Sequence, residues 1–114
     1  MADPDWTNER TMRKLRELQP ELFQKFVDFE QAVYEPRKLS TKTKELIAVA
    51  VTYVTQCRAC MALHTRNAKV NGATDEEIAE AIFVAMELRA GAALGHFGTS
   101  ADVMEKHRHA GSNP

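Results

Sequence analysis

The chain has 114 residues, is 44% hydrophobic and 27% charged, and carries a formal net charge of -1. That is enough for one soluble globular domain with one core, spanning 1–114. The near-neutral balance argues against nucleic acid and against an anionic membrane surface as partners.

Helical spacing runs along the whole sequence. A first helix is predicted from about Trp6 to Leu18, with Met12, Leu15 and Leu18 on one side. Pro20 suits the first turn of a second helix, because its missing N–H is unpaired there anyway. That helix sets Leu22, Phe23, Phe26, Val27, Glu30, Val33 and Tyr34 at 3.6-residue spacing, a mostly apolar face, and ends at Pro36. Ser40 or Thr41 can cap a third helix, which is apolar nearly all round from Leu46 to Val54. Its β-branched residues would also suit a buried strand, but the Thr41-Lys42-Thr43-Lys44-Glu45 lead-in favours helix. A helix apolar on every side belongs at a domain centre or inside an oligomer. The run is too short to cross a bilayer.

Thr55-Gln56 breaks that run, and a fourth helix is predicted to start at Cys57 and end near Gly72, a good left-handed cap. Thr74 and Glu77 form a capping box for the fifth, with Ile78, Ile82, Ala85 and Met86 on its buried side. Gly91 and Gly95 interrupt the pattern. They mark either a loop or a close helix approach at a subunit interface. A last helix would place Leu94, Phe97, Ala101 and Met104 on one face, and residues 107–114 read as a disordered tail. The fold class is therefore all-α, with about six helices.

The chemistry sits in Cys57-Arg58-Ala59-Cys60 and His64. The two cysteines are the only ones in the chain. At about 100° per residue, the three side chains fall within an arc of about 60° on one helix face. Cysteines one helical turn apart have Cα atoms close enough to close a disulfide. A helix start stabilises a thiolate through its free N–H groups and its dipole, and by that argument alone Cys57 is the better-placed anion. His64 can take a thiol proton or, once charged, stabilise the thiolate. Glu45 cannot do so by charge, because a nearby carboxylate disfavours a thiolate. Its functional reading is a proton relay, and an exposed first-turn glutamate explains it equally well.

The sequence start lacks the basic and apolar regions of a signal peptide, so a cytoplasmic location is expected. In that compartment a close cysteine pair points to redox chemistry or metal before a structural staple. Zinc is the metal alternative: Cys57, Cys60 and His64 are three plausible ligands, and His96, His107 and His109 are candidates for a fourth. Two inert core cysteines are the bland alternative.

Glu45, Cys57-x-x-Cys60 and His64 together resemble the signature of the alkylhydroperoxidase D-like branch of the carboxymuconolactone decarboxylase family. The flanking Leu39-Ser40, Lys44-Glu45-Leu46-Ile47, Ala68, Gly72-Ala73-Thr74 and Glu76-Glu77-Ile78 agree, so the likeness covers 39–90. It implies an all-α fold and thiol-dependent peroxide reduction through a dithiol/disulfide cycle. Cys60 would be the attacking thiolate, Cys57 the resolving one, and Glu45 and His64 the proton relay. No dissociable cofactor is required. Electrons would come from a dithiol donor, a lipoyl or thioredoxin-like protein, and short members of this kind are homo-oligomers, often hexamers. Ala59 stands where well-known members carry a further histidine. That leaves open weaker peroxidase activity or a role as a disulfide oxidoreductase or redox sensor. The decarboxylases proper generally lack the cysteine pair, which argues against lactone decarboxylation.

Overall fold

The computed structural model describes residues 9–108. Every regular element among them is an α-helix: α1 (Glu9–Leu18), α2 (Pro20–Tyr34), α3 (Thr41–Thr55), α4 (Arg58–Val70), α5 (Asp75–Gly95) and α6 (Phe97–Lys106). The strand alternative for 46–54 is therefore excluded. The part of the first helix expected before Glu9, and His109 with the rest of the tail, lie outside the described residues. His107 is placed as the C-cap of α6, and Arg108 pairs with Glu105 at 3.1 Å.

The boundaries follow local chemistry. Pro20 occupies the first turn of α2. Ser40 caps α3 by accepting the Thr43 N–H at 3.1 Å. Gln56 ends α3 in the left-handed region at φ 62°, an uncommon conformation for a non-glycine residue. Cys57 follows at once as the N-cap of α4. Gly72, at φ 95°, turns the chain between α4 and α5. Thr74 and Glu77 form the full capping box, with bonds of 3.1 and 2.9 Å.

The two-residue link at Gln56 and Cys57 makes α3 and α4 a helical hairpin, and α5 packs against α3. Val49 and Ala68 are fully buried at its centre with Ala73 and Ile78, and Leu46, Tyr53 and Ile82 pack around them. Arg89 Nη1 donates to the Val54 carbonyl at 2.9 Å and ties α5 to the end of α3.

One expected break is absent. Gly91 lies inside α5, which runs on to Gly95, and Leu94 belongs to α5, separated from α6 only by His96. A mid-helix glycine costs about 1 kcal/mol against alanine, too little to stop a helix anchored by a capping box and a packed face. Among the described residues, nothing outside Gly95's own stretch of helix comes within 4 Å of where its Cβ would stand, so no close helix approach occurs there among them. Met86, expected on the buried side of α5, is exposed.

Much of the apolar surface is uncovered. The Cα radius of gyration is 20.7 Å, against about 13 Å for a compact chain of this size. Phe29, Phe83 and Leu94 are 67%, 66% and 76% exposed. Even in α3, Ile47, Val51 and Val54 remain exposed while Val49 is fully covered.

Candidate active site

The hairpin brings Glu45, from the first half of α3, against His64 in the second turn of α4. His64 Nδ1 and Glu45 Oε2 are 2.7 Å apart. A carboxylate only accepts, so the shared proton sits on Nδ1, and His64 donates. The Nε2 atom is then free to act as base. Glu45 is only 3% exposed, so it is not the solvent-facing first-turn glutamate that the sequence equally allowed. A buried carboxylate needs partners, and Asn67 supplies a second one, with Nδ2 at 3.5 Å from Oε1.

Cys57 and Cys60 form a disulfide with Cα atoms 5.2 Å apart. Cys57 is the N-cap of α4, and its Sγ accepts the Cys60 N–H at 3.3 Å. Cys60 lies in the first turn, one turn before His64. Cys60 and His64 line two cavities in common. The larger, about 890 Å³, lies between α4 and the α1–α2 pair and is walled by Leu15, Leu22, Phe23, Phe26 and Leu63. The smaller, about 400 Å³, includes Tyr34, Ile47, Val51 and Thr52. Neither is lined by Cys57.

Two residues that sequence reasoning missed complete the surroundings. Asn67 is one. Tyr34, read only as part of an apolar helix face, stacks on His64 with ring centroids 5.4 Å apart and planes inclined by 26°. Burial, then the negative charges of Glu45 and Glu30, raise the Tyr34 pKa above its ordinary value, so the phenol keeps its proton. The end of α2 that carries it is held by α3. Lys44 Nζ donates to the carbonyls of Val33 and Glu35 at 2.7 Å each, and Thr41 Oγ1 donates to the Tyr34 carbonyl at 2.7 Å.

His96 and His107 are exposed at the two ends of α6, and His109 lies outside the described residues. Among the described residues no three His, Cys, Asp or Glu side chains gather as a metal-binding set. None of the described helices is long and apolar enough to cross a membrane.

A helical hairpin that carries a redox-capable cysteine pair beside a buried carboxylate–imidazole pair defines the class. The carboxymuconolactone decarboxylase family model matches residues 20–97, and the chain belongs to that family. It is 44% identical over 81 residues to uncharacterized protein 4 in the cox locus of Paracoccus denitrificans, covering 71% of this chain and 73% of the relative. A crystal structure from Methanobacterium thermoautotrophicum superposes with a TM-score of 0.70 at 36% identity, covering 75% of this chain and 96% of the other. A Thermotoga maritima crystal structure matches with a TM-score of 0.56 at 32% identity, covering 80% of this chain and 94% of the other. That protein is named as a carboxymuconolactone decarboxylase family member with a suggested part in the antioxidative response.

Proposed function

We propose that the protein is a thiol-dependent peroxidase that reduces peroxides through the Cys57/Cys60 couple. The observation that carries this reading is the 2.7 Å bond from Glu45 to His64, which stands one helical turn from Cys60 and lines the same two cavities. A peroxide needs a thiolate to attack it and a proton for the alcohol that leaves, and this arrangement supports both.

In the reduced protein, His64 Nε2 takes the Cys60 thiol proton while Glu45 holds Nδ1–H and stabilises the imidazolium. The Cys60 thiolate attacks one peroxide oxygen, and the O–O bond breaks. The leaving alkoxide, or hydroxide, takes the proton from His64. Cys60 is now a sulfenic acid. The Cys57 thiolate attacks Cys60 Sγ, the S–O bond breaks, and hydroxide departs as water after taking a proton. The disulfide that results is the state seen here. An external dithiol returns both cysteines to thiols and is itself oxidised to a disulfide. A lipoyl or thioredoxin-like protein fits that role.

Homo-oligomerisation, with a hexamer as the expected form, belongs to the same reading. The exposed Phe29, Ile47, Val51 and Phe83 are surface that partner copies would cover. The competing reading is a disulfide oxidoreductase or redox sensor without peroxidase turnover, and Ala59 in place of a further relay histidine is what favours it. Stopped-flow mixing of the reduced protein with hydrogen peroxide and with an alkyl hydroperoxide separates the two. Rapid stoichiometric loss of two thiols, followed by turnover with a dithiol donor, supports the peroxidase. Dithiol–disulfide exchange without peroxide consumption rejects it.

A further inference from the structure

The Cys57–Cys60 disulfide is asymmetric in two independent ways. Cys57 Sγ is held at the helix N-cap and accepts the Cys60 N–H at 3.3 Å. Cys60 lines both the 890 Å³ and the 400 Å³ cavities, whereas Cys57 lines neither. The first feature says which sulfur leaves best as an anion. Both cysteines are half-buried, so the second says which sulfur faces a space that can seat an incoming molecule.

We propose that thiol donors open this disulfide at Cys60, with Cys57 as the leaving group, so that every external reaction of the couple passes through Cys60 Sγ. The donor thiolate forms a new S–S bond to Cys60 as the Cys57–Cys60 bond breaks. The electron pair of the broken bond goes to Cys57 Sγ. It departs as a thiolate that the Cys60 N–H already faces at the start of α4. The second thiolate of a dithiol donor then attacks the donor's own sulfur in the mixed disulfide and releases Cys60 as a thiolate. The donor loses two electrons and becomes a disulfide, and its two protons end on Cys57 and Cys60. Exchange is faster when the departing thiolate is the more stable one, and a helix N-terminus supplies that stability. The helix start therefore serves the reductive half of the cycle. It does not mark Cys57 as the nucleophile toward outside molecules.

This inference rests on the proposed function only for the dithiol donor. Its test needs no peroxide. The oxidised full chain is mixed with 2-mercaptoethanol and iodoacetamide together, so that each freed protein thiolate is alkylated before it can close again. Arg58 lies between the two cysteines, so trypsin puts Cys57 in peptide 45–58 and Cys60 in peptide 59–66. The expected product carries mercaptoethanol on Cys60 and carbamidomethyl on Cys57, in about tenfold or greater excess over the reverse. In denaturant, where helix and cavities are gone, the ratio should move toward parity. Equal or reversed labelling of the folded protein overturns the proposal, as does a disulfide that the thiol cannot open in the folded state. So does a preference that survives denaturation unchanged. If peroxide turnover fails while the Cys60 adduct forms as expected, the peroxidase reading falls and this one stands.

Discussion

Replacing Glu45 by glutamine removes a charge from the proposed relay with almost no change in shape. The side chain is 5% exposed, so water has little access to take over its role. Glutamine keeps a carbonyl oxygen that can accept His64 Nδ1–H, and its amide faces Asn67, whose own amide can turn to offer oxygen. What is lost is the charge. A hydrogen bond to a charged group contributes about 1.5–3 kcal/mol, and a neutral one about 0.5–1.5 kcal/mol. The difference, about 1–1.5 kcal/mol, falls on the imidazolium that forms when His64 takes the Cys60 proton. Each 1.36 kcal/mol is about tenfold in rate, so Glu45→Gln should slow thiol oxidation by peroxide about tenfold. Glu45→Ala should slow it more and should also cost about 1–3 kcal/mol of stability, because it leaves Nδ1–H without its partner in a partly buried site. Stopped-flow thiol loss measures the rate, and urea unfolding at fixed protein concentration measures the stability. A glutamine variant that keeps the parent rate across pH 5–9 would refute the relay argument.

Cys57→Ser should still form a sulfenic acid at Cys60, trappable by a dimedone-type reagent, yet fail to turn over. Cys60→Ser should lose the fast first step, and the reverse pattern would exchange the two roles. Tyr34→Phe keeps a ring over His64 and should retain most activity, whereas Tyr34→Leu should lower the rate several-fold and alter its pH profile. Equal effects of the two would show that the stack does not orient the imidazole. Light scattering at micromolar concentration should give a mass above that of a dimer, and Ile47→Glu with Val51→Glu should lower it; a monomeric parent rejects the assembly. Lys42 first, then the Thr74 backbone, lower the Glu77 pKa. The stability this adds is present above the usual carboxylate range and is lost as pH falls through the lowered value. Glu77→Gln should therefore be less stable than the parent at pH 7, with the gap closing in acid; a gap independent of pH would contradict that linkage.

The sequence made the reactive group legible because its members lie on one helix. Cys57 and Cys60 join, and Cys60 shares cavity walls with His64, by helical spacing alone, and the capping box at Thr74 and Glu77 is equally local. The burial of Glu45 was not legible, since a first-turn glutamate has an ordinary dipole reason to be there. Only the folding of α4 onto α3 encloses it. Tyr34 and Asn67 were missed for related reasons. The tyrosine is 30 residues from the ring it covers, and Asn67 differs from any polar helix residue only in what it faces across the hairpin. Gly91 carries the local signal of a break, and the anchored start and packed face of α5 override it.

The attachment of α2 has a consequence for how the site opens. Lys44, Thr41 and the Tyr34 ring hold the end of α2 through three carbonyls and one stack. The Val49–Ala68 core has no share in those links. Stability in the isolated chain is therefore graded. By that grading the α1–α2 arm, joined to α3 by few links, is expected to detach more readily than the α3–α4–α5 core opens, which slower amide hydrogen exchange in α3 and α4 than in α1 and α2 would check. Such a detachment uncovers His64 and the larger cavity and leaves the Glu45–His64 bond in place. Access to Cys60 would thereby be separated from the integrity of the Glu45–His64 pair beside it.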